Sequence, residues 1–120
     1  MRFLAGLALA GLAPLAIASL AAAHSLLLDS NPTAGATLTA SPRELALRFN
    51  NRIEKPLSKV RLLDSHGAAQ TVTLTREGVA PDWLRAPLPP LAPGRWRVEW
   101  QVLSTDGHVV SGRFEFQIAP

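Results

Sequence analysis

The sequence predicts an all-β domain, a small Greek-key β-sandwich or barrel of about seven strands, on three observations. Gly94–Leu103 alternates without a break: Trp96, Val98, Trp100 and Val102 share one face, and Arg95, Arg97, Glu99 and Gln101 share the other. Shorter runs of the same kind recur along the chain, separated by Gly- and Pro-bearing turns. No convincing helix interleaves with them, so the spacing of a parallel α/β sheet is missing.

Residues 1–23 read as an export leader and are kept out of the fold. Arg2 supplies the positive start, residues 3–20 are apolar with Gly6, Gly11 and Pro14 among them, and Ala21-Ala22-Ala23 offers small residues for a leader peptidase. The alternative is an uncleaved anchor, because the run approaches the ~18 residues that span a bilayer. The Ala-x-Ala pattern at its end favours cleavage before His24, with a cut after Ala22 as the neighbouring register. Residues 24–120 then form one small domain with one core. Loss of Arg2 lowers the formal charge of +3 by one, and no basic stripe is present, which argues against a nucleic-acid partner. There is no Cys, and the one Met is the initiator. Disulfides, thiolates and thioethers are therefore excluded from the exported domain, and any metal must be held by nitrogen and oxygen.

The strands follow in order. Residues 26–28 are a short first strand just behind His24, and Asn31-Pro32 with Gly35 marks a turn. In residues 44–50, Leu45, Leu47 and Phe49 alternate with Glu44, Ala46 and Arg48, and Asn50-Asn51 ends the run. Lys59–Leu63 carries Val60 and Leu62 inward, and residues 70–75 carry Val72 and Leu74. Asp64-Ser65-His66-Gly67 between them makes a hairpin. Residues 76–82 are a loop, 83–88 a short strand, and Pro89-Pro90 with Pro93-Gly94 the turn into Gly94–Leu103. Residues 113–118 close the domain with Phe114, Phe116 and Ile118 on one face. Trp83, Trp96 and Trp100 are all assigned to the core.

Ser104-Thr105-Asp106-Gly107-His108 connects the two best strands, neither of which can slip without exposing its aromatics. A carboxylate and an imidazole two residues apart on a rigid mount are half of a metal site. The other half is sought in His24. As the first residue of a cleaved chain, it would offer an α-amine and ring Nδ1 to one ion. Each has a plainer reading: a frayed terminus for His24, and ordinary turn chemistry for Asp106 and His108. His66 reads best as an exposed residue of its turn.

In order along the chain stand a His after the leader, Ser30-Asn31-Pro32 with Gly35, Leu45-x-Leu47-x-Phe49, and Leu91-Ala92-Pro93-Gly94. The Trp-bearing strand and Ser104-Thr105-Asp106-Gly107-His108 with Gly112 complete the set. Together these resemble the CopC family of periplasmic copper-resistance proteins. The resemblance implies a cupredoxin-like or immunoglobulin-like β-barrel and a periplasmic, non-catalytic Cu(II) carrier or buffer in copper resistance or homeostasis. It further implies one Cu(II) ion held by His24, Asp106 and His108, with an inner-membrane copper protein of the CopD type as partner. A monomer is expected. Several relatives carry Phe-Ser-Glu where this chain has Phe49-Asn50-Asn51, which removes a nearby carboxylate, and the Met-rich Cu(I) site of some members is absent. His66, Asn51 or water are the candidates for completing the coordination. Two other functions stay open at this point: a histidine-brace copper oxygenase and a metal-free immunoglobulin-like interaction domain. Ascorbate-driven peroxide production separates the first from a carrier, and indifference to His24→Ala and His108→Ala identifies the second.

Overall fold

The computed structural model describes residues 26–120, so the expected leader, its cleavage site and His24 lie outside the described residues. Two sheets pack face to face. One has three strands in the order β1-β3-β6, and the other five in the order β2-β8-β7-β4-β5. The strands are β1 (Leu27–Asn31), β2 (Thr37–Leu38), β3 (Glu44–Phe49), β4 (Lys59–Leu63), β5 (Ala69–Thr71), β6 (Trp83–Pro87), β7 (Gly94–Leu103) and β8 (Val109–Ile118). The all-β sandwich is as expected, with eight strands among the described residues. The extra one, β2, is two residues long and pairs in parallel with β8.

Alternation decides which side chains fill the space between the sheets. Leu45, Leu47 and Phe49 of β3 and Leu84 and Ala86 of β6 face Val60, Leu62, Trp96, Val98, Trp100, Val102, Phe114, Phe116 and Ile118 of the larger sheet, all buried. Phe49 and Trp100 meet edge to face across the sheets, centroids 5.2 Å apart and planes at 78°, an aromatic contact worth about 0.5–1.5 kcal/mol beyond its area. β7 and β8 pair without irregularity from Gly94↔Ile118 to Leu103↔Val109. Within that ladder Gly112 faces Trp100, and a Cβ there would lie 2.1 Å from the indole ring. Glycine is required because the ring lies where a side chain would stand.

Four expectations are corrected. The first strand spans Leu27–Asn31 rather than residues 26–28. The strand expected over residues 70–75 ends at Thr71, because the chain crosses between the sheets there. The Val72 N–H still donates to the Val60 carbonyl at 3.4 Å, but that of Thr75 donates to Arg85 of β6 at 2.7 Å. The last strand begins at Val109 rather than 113, since pairing with β7 needs no aromatic alternation. Trp83 is not core: it is half-buried on the outer face of the smaller sheet, with the Arg85 guanidinium 4.6 Å and that of Arg48 6.0 Å from its ring centroid. Cations over an indole face are held by the ring quadrupole, so this Trp buries itself under arginines instead of between sheets.

Candidate metal centre

The loop between β7 and β8 is a tight turn. The Ser104 N–H donates to the His108 carbonyl at 3.0 Å and the Gly107 N–H to the Ser104 carbonyl at 3.0 Å. Gly107 has φ +86°, which only glycine adopts without strain. Asp106 then turns back on its own loop: Oδ1 accepts the His108 N–H at 3.1 Å, and Oδ2 lies 3.1 Å from His108 Nδ1. The carboxylate thus fixes both the backbone and the ring of His108. A neutral imidazole donating from Nδ1 carries its lone pair on Nε2. Both side chains reach solvent, at 58% exposure for His108 and 33% for Asp106, so an ion can approach them.

Other segments gather at the same end of the sandwich. Ile53 bridges to Ser104, the Glu54 N–H donates to the Leu103 carbonyl at 3.0 Å, and the Ile53 N–H to that of Pro81 at 2.9 Å. A 3-10 turn over Lys55–Leu57 follows, with Lys55 Nζ donating to the Ala80 carbonyl at 2.9 Å. Burial holds the Lys55 ammonium below its usual range, against the opposing charge of Asp82. Three residues before Ile53, Asn50 meets the start of the described chain. The Leu26 N–H donates to Asn50 Oδ1 at 2.7 Å, and the Asn50 N–H to the Leu26 carbonyl at 3.0 Å. Sequence reading used Asn50 as a strand end and as part of the segment that stands where relatives carry Phe-Ser-Glu. Its bonds to Leu26 span 24 positions, and no local pattern signals them.

Of the sequence candidates, Asp106 and His108 are brought into contact, while His24 lies outside the described residues. His66 is removed as a further ligand. Its turn follows Leu63, which pairs with Arg97, and β7 must run on from there to Leu103 before reaching the loop, roughly 20 Å at strand rise. Among the described residues no cluster of three or more His, Cys, Asp or Glu side chains is placed to hold a metal. Among the described residues, Asp106 and His108 are thus a two-residue pair.

The comparisons with known proteins agree with this architecture. A family model described as the CopC domain matches residues 27–119. The crystal structure of CopC from Methylosinus trichosporium OB3b superimposes with a TM-score of 0.73 at 37% identity, covering 81% of this chain and 95% of that one. Copper resistance protein C of Escherichia coli is 27% identical over 110 residues, 85% of this chain and 86% of the relative. Copper transport protein CutJ of Bacillus subtilis is 27% identical over 101 residues, 80% of this chain but 18% of CutJ. A two-sheet β-sandwich matched to one family over nearly all of its described length belongs to that family: the chain is a CopC-family protein, and its function concerns copper.

Proposed function

We propose that this chain is an exported, periplasmic carrier or buffer for one Cu(II) ion, held by the α-amine and imidazole of His24, the Asp106 carboxylate and the His108 imidazole. One observation carries the reading. Leu26, two residues after His24, is tied to Asn50, and three residues further on Ile53 bridges to Ser104 at the root of the Asp106–His108 loop. Two residues of extended chain reach about 7 Å, so a terminus freed at Ala23 starts within range of that end of the sandwich. Amine and imidazole nitrogens with one carboxylate oxygen suit the tetragonal preference of Cu(II), and the exported chain has no thioether for Cu(I).

The cargo is held rather than transformed, and a carrier needs a recipient. A segment like this chain forms 18% of a copper transport protein in Bacillus subtilis, which supports a membrane copper protein of the CopD type as the partner. Because amine and imidazole bind only when deprotonated, affinity falls as the medium is acidified. The test takes the exported protein through intact mass, competitive Cu(II) titration and electron paramagnetic resonance. A mass beginning at His24, one tight equivalent and a tetragonal nitrogen-rich spectrum are expected. A mature chain beginning elsewhere, or loose multiple binding, defeats the reading.

A further inference from the structure

We infer that Asn50 is a positioning residue for the copper site: clamping Leu26, it limits the reach of the amino-terminal ligand. The inference rests on the function proposed above and deepens it. The pairing of β1 with β3 weakens where the terminus leaves the sheet. Its register slips between Leu27 and Asp29, so Leu28 is an unpaired extra residue, and Leu27↔Phe49 is the last pair of the ladder. A terminus beyond a bulge frays unless something ties it down. Asn50 supplies the tie from one residue, its side-chain oxygen taking the Leu26 N–H at 2.7 Å and its backbone N–H reaching the Leu26 carbonyl at 3.0 Å. Both polar groups of the Leu26 backbone close on a residue whose own position is set by Phe49, which takes part in the core and donates its N–H to the Asp82 carbonyl at 2.8 Å. The Leu26–Asn50 side-chain bond is solvent-exposed, so it contributes little to global stability. Its effect falls on where the terminus sits, which is what a ligand two residues away depends on.

The experiment compares wild type, Asn50→Ala, Asn50→Asp and His108→Ala as exported full-length domains. It reads Cu(II) affinity by chelator competition and Leu26 amide exchange without metal. Asn50→Ala should weaken Cu(II) binding roughly 10- to 100-fold, the usual cost of losing an outer-shell support, and should speed Leu26 exchange at unchanged thermal stability. Asn50→Asp keeps the acceptor oxygen and should retain both affinity and slow exchange. If wild type takes up no tight equivalent, or His108→Ala binds as well as wild type, the copper site falls and the positioning role with it. If wild type binds, His108→Ala does not, and Asn50→Ala matches wild type, only the clamp falls. Should Asn50→Ala not fold, Leu26 exchange in wild type decides: protection supports the clamp, and exchange at the rate of an open chain overturns it.

Discussion

Two turns of this protein carry Asp and His two residues apart, at opposite ends of the larger sheet, and they do different things. In the turn joining β4 to β5, Asp64 Oδ1 accepts two backbone N–H groups, from His66 at 2.9 Å and Ala68 at 3.0 Å. The positive-φ glycine there, Gly67, follows the histidine, and His66 is exposed. In the turn joining β7 to β8, the glycine precedes the histidine, and Asp106 spends one oxygen on the backbone and turns the other to the ring. The mounts differ as well. β7 is an interior strand, paired with β8 over ten residues and flanked by β4 on its other side, whereas β5 is a three-residue edge strand. The same residue pair is turn chemistry on a loose edge, and on the long β7–β8 hairpin it is the pair proposed above to hold copper.

Replacing each histidine in turn is the sharpest way to break that contrast. His108→Ala should cost more Cu(II) affinity than the ~10–100-fold typical of outer-shell losses, while His66→Ala should leave a competitive titration unchanged. Equal losses would erase the distinction between the turns. The stiffness of the central mount is tested at Gly112. A methyl there overlaps the Trp100 ring, and Gly112→Ala should lower stability by about 1–3 kcal/mol, the usual range for overpacking, measured by urea unfolding. Amide exchange then ranks the two hairpins directly. The amides of β5 should exchange through local opening at nearly no free-energy cost, and those of β7 and β8 only on global unfolding.

The smallest effect concerns the link between the hairpins. Glu99 of β7 accepts from Arg61 of β4 and lies 3.3 Å from Arg97, and the hydrogen bond from Arg61 holds its carboxyl below the usual range. A depressed folded-state pKa contributes stability above the unfolded carboxylate range and loses it as pH falls through the folded value. Wild type should therefore exceed Glu99→Gln slightly in urea midpoint at neutral pH. The difference should persist through the ordinary carboxylate range and vanish only as pH falls below the folded value. The pair is solvent-exposed and screened, so the difference should shrink in high salt.

How legible each part was follows from the range of the forces that made it. Lys59–Leu63 and Gly94–Leu103 have the bounds their alternation predicts, because a period of two is a local property. β2 escaped notice because two residues have no period, and only a partner 80 positions away in β8 makes them a strand (Thr37↔Gln117). Residues 72–75 alternate as a strand should, yet the Thr75 N–H bonds to Arg85 of the other sheet. Alternation reports which face a residue takes, not which sheet it joins. Trp83 likewise reads as core by size, and its place was taken by two arginines arriving from β3 and β6.

For the site, the sequence by itself determined the chemistry available: nitrogen and oxygen donors only, an Asp-Gly-His turn between rigid strands, and a His behind a leader-like segment. It preferred Asp106–His108 to Asp64–His66 on the quality of the flanking strands and on resemblance, but could not choose which end of the sandwich either turn occupies. That choice belongs to the tertiary structure. The Leu63↔Arg97 register sends His66 to one end of the sandwich, and the Leu26–Asn50 and Ile53–Ser104 bonds draw the start of the domain to the other. A residue pattern repeats wherever its local rules are met, but one end of a sandwich is reached only through pairings between distant strands.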